Sequence, residues 1–406
     1  MYILIVTPHF YPENFRINDF AKAFIEKGHN ITVLTATPDY PEGKIYKGYG
    51  IFKRSKELWE GINIYRAPVI TRGKGKKGRL FLNYLSFIIS GSVYAIFLKR
   101  KKIDLIFVFE PSPITIGIPA IVIKKLRKIP LIFWVLDLWP ESVSAAGNLK
   151  TNLVPKLLIP VVRFIYRNCD RILVSSKAFI SSIIDKGIEE EKISYFPQWA
   201  ENIFKPIMPG KKLPVELPEG FKIIFAGNIG EAQDFEAILS AAELLRDYKD
   251  IHWIILGEGR RSDFVKRQVE LKKLEQTFHL LGKFPLELMP EFYARANALF
   301  LSLKDEYIFS LTVPAKLQSY LACGRPVLTM FNGEGSSIVN QANAGLTCGS
   351  GDFNALAKNI LKMHSMEKNE LEKFGSNGRE FYLKYFEREM LLNKIESIFN
   401  SIMSKN

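Results

Sequence analysis

Residues 221–233 read FKIIFAGNIGEAQ, a short apolar run that passes through a glycine-bearing turn toward a helical pattern over Phe235–Asp247. The rhythm repeats downstream, where IHWIIL at 251–256 is followed by GEGR at 257–260, and another apolar run covers Ala298–Leu303. Short apolar strands separated by helical stretches of ten or more residues indicate βαβ units and a parallel sheet covered on both faces. This part of the chain is therefore predicted to form an α/β domain.

The first 200 residues show the same alternation, with strand-like runs at Ile3–Thr7, Ile31–Thr35, Asp104–Phe109, Leu131–Leu136 and Arg171–Ser175. The pattern breaks in a proline-rich stretch at 197–220, because proline removes backbone donors and blocks helices. We predict an N-terminal domain at 1–200, a linker at 201–220, a C-terminal domain at 221–385 and a C-terminal helix at 386–406. For that helix, a return to the first domain is one alternative. Two such domains leave a cleft, and ligands bind outside the carboxyl ends of such strands.

Composition narrows the class of protein. Of the 406 residues, 47% are hydrophobic and 24% charged, values that exclude general disorder. Three cysteines form no disulfide framework, and Met1 runs directly into a strand without a basic leader, so a cytoplasmic setting is expected. The net charge of +14 lies wholly in the first half: residues 1–200 carry 30 Lys and Arg against 16 Asp and Glu, whereas residues 201–406 carry 26 of each. The first domain therefore calls for an anionic partner.

Nucleic acid is the weakest choice for this partner, because the basic clusters lack interleaved aromatic residues. A membrane is suggested by LFLNYLSFIISGSVYAIFL at 80–98, nineteen uncharged residues flanked by RGKGKKGR at 72–79 and KRKK at 99–102. Three alternatives stay open for this stretch: a buried or half-buried helix of the domain, a helix that lies in the membrane interface, and a true span. We favour peripheral attachment to an anionic membrane surface.

Three turns of the second half suit a phosphate group. Glycines at 227 and 230 and at 257 and 259 let the backbone approach a ligand closely after a strand. The third element is TVPAKLQSYLACGRP at 312–326, where Pro314 suits a helix start and Lys316 adds a positive charge one turn in. All three follow strands of one domain, so we expect them to converge on one diphosphate-bearing ligand.

The combination of GNIG, GEG and KLQSYLACGRP with FYPE at 10–13, GHNITVLT at 28–35 and DLWPES at 137–142 resembles GT-B glycosyltransferases of family 4. Within that family it looks like the WbuB-type subgroup, which is associated with N-acetyl-fucosamine transfer in O-antigen or capsule assembly. The resemblance implies two Rossmann-like parallel-sheet domains facing a central cleft and a retaining transfer from a UDP-sugar.

The resemblance also implies roles for individual residues. The second domain is expected to bind the donor. The diphosphate would face Gly227, Asn228, Gly230 and Gln233, and the nucleoside would lie near Glu258, Arg260 and Lys283. The phosphates would be held by the amides of Phe309, Ser310, Leu311 and Thr312, and the set is completed by two helix residues, Lys316 and Ser319. Acceptor binding is expected of the first domain through Glu13, Asn14, Arg16 and Glu141. Many family members have two glutamates eight residues apart before the ACG turn, and here those positions are Leu311 and Ser319.

Catalysis must stabilise the charge that develops on the leaving diphosphate, which suits helix amides and Lys316 or Arg260. Asp137 is predicted to orient the acceptor or to ease charge at the reacting carbon, the alternative being a helix N-cap or turn role. Glu306 is predicted to hold a donor hydroxyl, the alternative being a solvated loop residue. No metal or other cofactor is expected, because the chain has no D-x-D triplet and its five histidines are scattered.

The main functional hypothesis is a bacterial glycosyltransferase, peripheral on the cytoplasmic face of the inner membrane. Its acceptor would be a saccharide linked to a polyprenol by diphosphate, a partner that explains the basic first half, the apolar stretch and the cleft together. A UDP-sugar 2-epimerase of the same architecture and a non-catalytic nucleotide-binding protein are the alternatives.

Overall fold

A computed structural model describes residues 1–51, 53–73, 75–143 and 153–404. The chain divides into two compact units, one formed by Met1–Pro197 with Glu389–Asn406 and the other by Gln198–Arg388. Each unit contains one predominantly parallel sheet with helices around it, so the predicted α/β class with two parallel-sheet domains is confirmed.

The first unit holds an eight-stranded sheet of order β3-β4-β2-β1-β5-β6-β7-β8, in which only β3 and β4 pair antiparallel. Its strands are β1 (Tyr2–Val6), β2 (Asn30–Ala36), β3 (Lys56–Trp59), β4 (Ile62–Ala67), β5 (Leu105–Glu110), β6 (Leu131–Val135), β7 (Arg171–Val174) and β8 (Ile193–Tyr195). Its α-helices within the described residues are α1 (Arg16–Glu26), α2 (Lys77–Leu98), α3 (Gly117–Arg127), α4 (Leu153–Arg167) and α5 (Phe179–Asp185), with one further helix from the end of the chain. Strands β5 and β6 are buried along their whole length, which explains their unbroken apolar runs.

The second unit holds a six-stranded parallel sheet of order β11-β10-β9-β12-β13-β14. Its strands are β9 (Phe221–Ala226), β10 (Ile251–Leu256), β11 (Phe278–Gly282), β12 (Ala298–Ser302), β13 (Val327–Met330) and β14 (Gly345–Cys348). The α-helices in its described residues are α6 (Phe235–Leu244), α7 (Ser262–Leu271), α8 (Met289–Ala294), α9 (Tyr307–Leu311), α10 (Ala315–Ala322), α11 (Glu334–Gln341), α12 (Phe353–Ser365) and α13 (Lys368–Tyr385). Alternate residues of β9 enter two separate hydrophobic clusters, one on each face of the sheet.

The proline-rich segment 201–220, predicted as a linker, packs against the second unit. Phe204 is buried in that unit's core, and the amide of Gly210 donates to Glu291 Oε2 at 3.2 Å. The chain then ends in α14 (Arg388–Met403), which groups with the first unit. There Phe399 packs against Phe20, Phe24 and Phe107, with ring centroids 5.5–6.4 Å apart.

Helix α2 covers the uncharged stretch and is long and apolar enough to cross a membrane by length and composition. Only 17% of its most apolar window is buried, so it is not a core helix. One face packs on the unit through Phe87, Gly91, Ala95 and Leu98. The opposite face exposes seven large apolar side chains, namely Phe81, Leu82, Leu85, Ile89, Val93, Ile96 and Phe97, which we call the α2 apolar stripe.

Candidate functional site

The sheet of the second unit reverses its strand order between β9 and β12, the position at which α/β sheets bind ligands. The turn 227–233 follows β9, and the segment 303–312 follows β12. A backbone hydrogen bond of 2.8 Å from Lys304 to Ala232 joins these two segments. The predicted donor residues of the turn and of the 303–312 segment therefore lie at one edge of this sheet.

The two glycine turns after β9 and β10 pack backbone against backbone. A Cβ added at Gly257 would lie 1.8 Å from the carbonyl oxygen of Gly227, and one added at Gly259 would lie 2.2 Å from that of Ile229. Gly227 and Gly257 also have φ angles of 150° and 141°, which residues with a side chain rarely adopt. Only glycine fits these positions, and the result is a partly exposed main-chain surface.

Lys316 reaches this surface from the first turn of α10. A Cβ added at Gly227 would lie 1.7 Å from the Lys316 Nζ, so the ammonium group occupies the space that the missing side chain leaves. It lies 4.9 Å from the ring centre of Phe225, and burial lowers the pKa of Lys316 to about 8. No acidic side chain among the described residues offsets this burial. The site therefore holds a desolvated positive charge without a negative partner.

The remaining predicted residues of the turn 227–233 contact one another. The amide of Gly230 donates to Gln233 Oε1 at 3.1 Å, so Gln233 stabilises the turn itself. The Asn228 side chain is exposed, and a Cβ added at Gly230 would lie 2.4 Å from its Nδ2. Asn228 thus presents an amide to solvent beside the exposed main chain.

The predicted nucleoside residues form an exposed group after β10 and β11. Glu258 Oε2 lies 3.5 Å from Lys283 Nζ, and both side chains are more than half exposed. Arg260 is exposed in the same turn, where the amide of Gly259 donates to Ser262 Oγ at 2.9 Å. The structure therefore brings Glu258 and Lys283 together, as the prediction requires of two residues that meet one nucleoside.

The segment predicted to hold phosphates through its amides forms the short helix α9. The amides of Phe309 and Ser310 donate to the carbonyl of Glu306, and that of Thr312 donates to the carbonyl of Phe309. These amides, together with that of Leu311, which ends α9, belong to the helix and are not a set of outward donors in this structure. The Glu306 side chain at the start of α9 is exposed, and Ser319 lies buried within α10.

The sheet of the first unit reverses its order between β1 and β5. The loop after β1 carries His9, whose Nδ1 lies 2.9 Å from Glu13 Oε2. The other oxygen of Glu13 accepts the amides of Asp39 and Tyr40 at 2.9 and 2.7 Å. Glu13, predicted to contact the acceptor, is buried and joins the loops after β1 and β2.

A pocket of about 320 Å³, counted with the solvent at its mouth, lies within the first unit beside this pair. Polar side chains from the ends of β1, β2 and β4 line it together with residues of α2: His9, Asp39, Arg72, Asn83 and Tyr84. The amide of Arg72 donates to Asp39 Oδ2 at 2.6 Å, while burial raises the pKa of Asp39. The pocket thus brings a guanidinium, an imidazole and a carboxyl group together at the ends of these strands.

Asp137 follows β6 and lies next to a second carboxyl group. Its Oδ2 accepts the indole N–H of Trp139 at 3.1 Å, and its amide donates to Glu110 Oε2 at 3.3 Å. Burial raises the pKa of Asp137, whereas hydrogen bonds from Ser112 and Trp139 lower it. Asp137 is thus a partly exposed carboxyl group held by directed donors.

The other predicted acceptor residues differ in their surroundings. Glu141 Oε1 accepts Ser182 Oγ and Lys186 Nζ, each at 2.7 Å, so this oxygen is engaged inside the first unit. Asn14 is exposed, and Arg16 is partly buried at the start of α1. Only Asn14 of these three is fully accessible.

Sequence reasoning missed His9 and Glu110. His9 was placed among scattered core or surface histidines, although its position after β1 and the carboxylate four residues later are signals for a paired imidazole. Glu110 ends an apolar strand, and one charged residue at the carboxyl end of a buried strand was the available signal.

Comparisons with known families cover most of the chain. Residues 14–199 match a family model described as a glycosyl transferase 4-like domain, and residues 220–366 match one described as glycosyl transferases group 1. The first match covers nearly all of Met1–Pro197 and ends two residues beyond it, and the second lies within Gln198–Arg388.

Individual proteins give the same result. The chain is 25% identical to WcaI of Escherichia coli K12, named as a colanic acid biosynthesis glycosyl transferase, over 80% of this chain and 82% of that protein. It is 27% identical to the glycosyltransferase WbjE of Pseudomonas aeruginosa over 67% and 69% of the two chains. The structure of Anabaena HepE in complex with UDP-glucose superimposes with a TM-score of 0.70 at 14% identity, over 99% of this chain and 100% of that one. The prediction of a transferase rather than an epimerase is confirmed: the chain is a glycosyltransferase of the GT-B fold, with a glycosyl transferase 4-like domain followed by a group 1 domain.

Proposed function

We propose that this glycosyltransferase moves a sugar, with retention of configuration, from a UDP-sugar to a saccharide carried on a polyprenyl diphosphate. The reaction would serve bacterial surface polysaccharide synthesis, with N-acetyl-fucosamine or a related amino sugar as the donor sugar. The name of WcaI supports the polysaccharide class, and the HepE complex supports a uridine nucleotide. Membership of the WbuB-like subgroup stays a prediction.

The Lys316 ammonium group carries this proposal. It is desolvated, lacks an acidic partner among the described residues, and lies against the glycine turns at the point of strand reversal. A diphosphate bound beside the glycine turns would supply the missing negative charge to Lys316, since the amides of Gly227 and Gly257 already donate to backbone carbonyls. Because transfer leaves negative charge on the diphosphate, a fixed cation at this point lowers the barrier.

We infer that Lys316 takes the part that a metal ion plays in other transferases, so that no metal or other cofactor is needed. In the described residues, no group of three or more His, Cys, Asp or Glu side chains is placed to hold a metal ion. Activity that survives treatment with a chelator would support this part of the proposal.

A panel of nucleotide sugars tests the donor class. At one hundred times its dissociation constant, a UDP-sugar is expected to stabilise the protein by about 2.7 kcal/mol, which raises the midpoint of thermal unfolding by several degrees. GDP- and ADP-sugars at the same concentration serve as controls and should shift it less. A larger shift with GDP- or ADP-sugars, or none with any UDP-sugar, would contradict the proposal.

We also propose that the first unit lies on the anionic cytoplasmic face of the inner membrane, as a peripheral protein. The α2 apolar stripe is exposed, and exposed basic residues flank it at both ends: Lys76, Lys77, Arg79, Lys99, Arg100, Lys101 and Lys102. Apolar burial and attraction to acidic headgroups act together in such a surface. Since the opposite face of α2 packs on its own unit, a helix lying along the membrane agrees better with these contacts than one crossing it.

Vesicle binding tests this surface with a matched pair of variants. Phe81→Ser with Phe97→Ser removes two exposed apolar groups from the stripe and should weaken binding to anionic vesicles about tenfold or more, since each buried phenylalanine contributes on the order of 1.5–3 kcal/mol. Met208→Ser with Leu271→Ser removes two comparably exposed groups from the second unit and should leave binding unchanged. Sedimentation with vesicles containing phosphatidylglycerol measures both, and equal losses would contradict the assignment.

A further inference from the structure

Glu110 ends β5 and anchors the main chain that carries Asp137. Its carbonyl oxygen accepts the amide of Leu136 at 3.1 Å, and its Oε2 accepts the amide of Asp137 at 3.3 Å. The side chain is fully buried. One residue therefore fixes two successive amides at the start of the loop that presents Asp137.

The surroundings of the second oxygen of Glu110 indicate that its own carboxyl group is protonated. Oε1 is buried and has no hydrogen-bond partner among the described residues. The same holds for the hydroxyl group of Tyr166 on α4. A buried carboxylate without donors is costly, whereas a neutral carboxyl group is much less so. Burial and the neighbouring Asp137 raise the pKa of Glu110 well above its usual range. Within the described residues, Tyr84 and Tyr166 interact electrostatically with Glu110, and burial raises the pKa of both.

Asp137 is also largely buried, but its carboxyl group has hydrogen-bond donors. The indole of Trp139 is shared between Asp137 Oδ2 at 3.1 Å and Ser112 Oγ at 3.3 Å, and Ser112 also donates toward the carboxylate. Ser112 has a φ of 109°, an unusual conformation for a residue with a side chain, and such conformations cluster at functional sites. The two neighbouring carboxyl groups therefore differ: directed donors hold the carboxylate of Asp137, whereas Glu110 Oε1 has none among the described residues.

We propose that Glu110 is a positioning residue for Asp137: it anchors the amides of Leu136 and Asp137, and it does so as a neutral carboxyl group whose buried Oε1 has no donor among the described residues. The proposal rests on the proposed function in one respect: that Asp137 contacts the acceptor. The pairing itself is a property of the first unit and is testable without substrate.

Thermal unfolding of the whole protein between pH 5 and pH 8 tests the pairing. Folded Glu110 keeps a proton that the unfolded chain releases, so unfolding releases a proton and wild-type stability falls as pH rises above the ordinary glutamate value. Glu110→Gln is always neutral, so its midpoint should rise relative to wild type as pH increases. Glu141→Gln is the control, because its partners are a hydroxyl and a lysine rather than a histidine: it weakens the contacts of Glu141 Oε1 with Ser182 and Lys186 and should lower stability without such a rise. A difference between Glu110→Gln and wild type that does not change with pH would overturn the proposal.

Turnover tests the positioning role, with a lipid-linked saccharide as the acceptor and release of UDP from the UDP-sugar that gives the largest thermal shift as the probe. Glu110→Leu removes the acceptor for the Asp137 amide and should lower kcat by up to about 10²-fold while KM for the UDP-sugar stays constant. Glu110→Gln keeps a side-chain oxygen there and should restore most of kcat at pH 7. Wild-type turnover in Glu110→Leu beside a positive unfolding result would show a carboxyl pair that does not serve Asp137, which also overturns the proposal. Absence of UDP-sugar binding would instead contradict the proposed function.

Discussion

Replacing Lys316 by methionine is expected to lower kcat by about 10²–10³-fold, the range found when one preorganised group that stabilises a developing negative charge is removed. Methionine keeps much of the length of the side chain but lacks the ammonium group that lies over the Phe225 ring, so the loss reports on the charge. The measurement is UDP release from a UDP-sugar at saturating concentration, with the folded state checked by thermal unfolding.

Two further variants separate charge from shape. Gly227→Ala keeps the lysine but places a methyl group 1.7 Å from its Nζ, so it should also reduce kcat strongly. Lys304→Met removes a lysine that pairs with Glu231 near the same sheet edge and should change kcat less than tenfold. Equal effects of Lys316→Met and Lys304→Met would show that net positive charge near the site, rather than the position of Lys316, is responsible.

The pH dependence of UDP binding gives an independent reading of the same group. With a pKa near 8, Lys316 in the free enzyme loses its proton as pH rises through that value, so the dissociation constant for UDP should increase above pH 8. The increase should be absent in Lys316→Met. The same pH dependence in both proteins would assign it to another group.

The second large effect is expected at Asp137, where substitution by asparagine should lower kcat on the order of 10²-fold, as for other positioned acid–base groups. Asparagine still accepts the Trp139 indole, so the fold should hold, and because burial raises the pKa of Asp137, removal of its charge should not lower the unfolding midpoint at pH 7. UDP release in the presence of a lipid-linked acceptor measures the effect.

Glu141→Gln is the comparison for this experiment. Glu141 Oε1 is occupied by Lys186 and Ser182, so its substitution should lower the unfolding midpoint through loss of that ion pair and affect kcat less than Asp137→Asn does. If Glu141→Gln were the more damaging variant for turnover, the acceptor-facing role would pass from Asp137 to Glu141.

The sequence predicts the fold and the glycine turns well because both depend on local pattern. Alternating apolar runs and helices define the parallel sheets. Gly227 and Gly257 each follow a strand-like run directly, and a glycine at such a position indicates a close turn. Lys316 was identified for the same reason, since Pro314 marks the start of its helix and thereby places Lys316 near the phosphate end.

The other parts of the site depend on contacts between distant segments. The bond from Glu13 to the amides of Asp39 and Tyr40 spans 26 and 27 positions, and no local pattern announces that a glutamate after β1 will be buried. Glu110 is hidden in an apolar run for the same reason. The exposed face of α2 was not predictable either, because nearly all its residues are apolar and only packing decides which side is covered.

The course of the chain has a consequence for synthesis on the ribosome. The aromatic cluster around Phe20 and Phe107 is completed only by Phe399, and Glu396 accepts Lys27 and His29 at 3.1 and 2.8 Å. Gln198–Arg388 must therefore be translated before α14 can pack on the first unit. This takes about 10 to 40 s at 5–20 residues per second. During that interval Phe20, Phe24 and Phe107 lack the ring of Phe399 that packs on them in the folded protein.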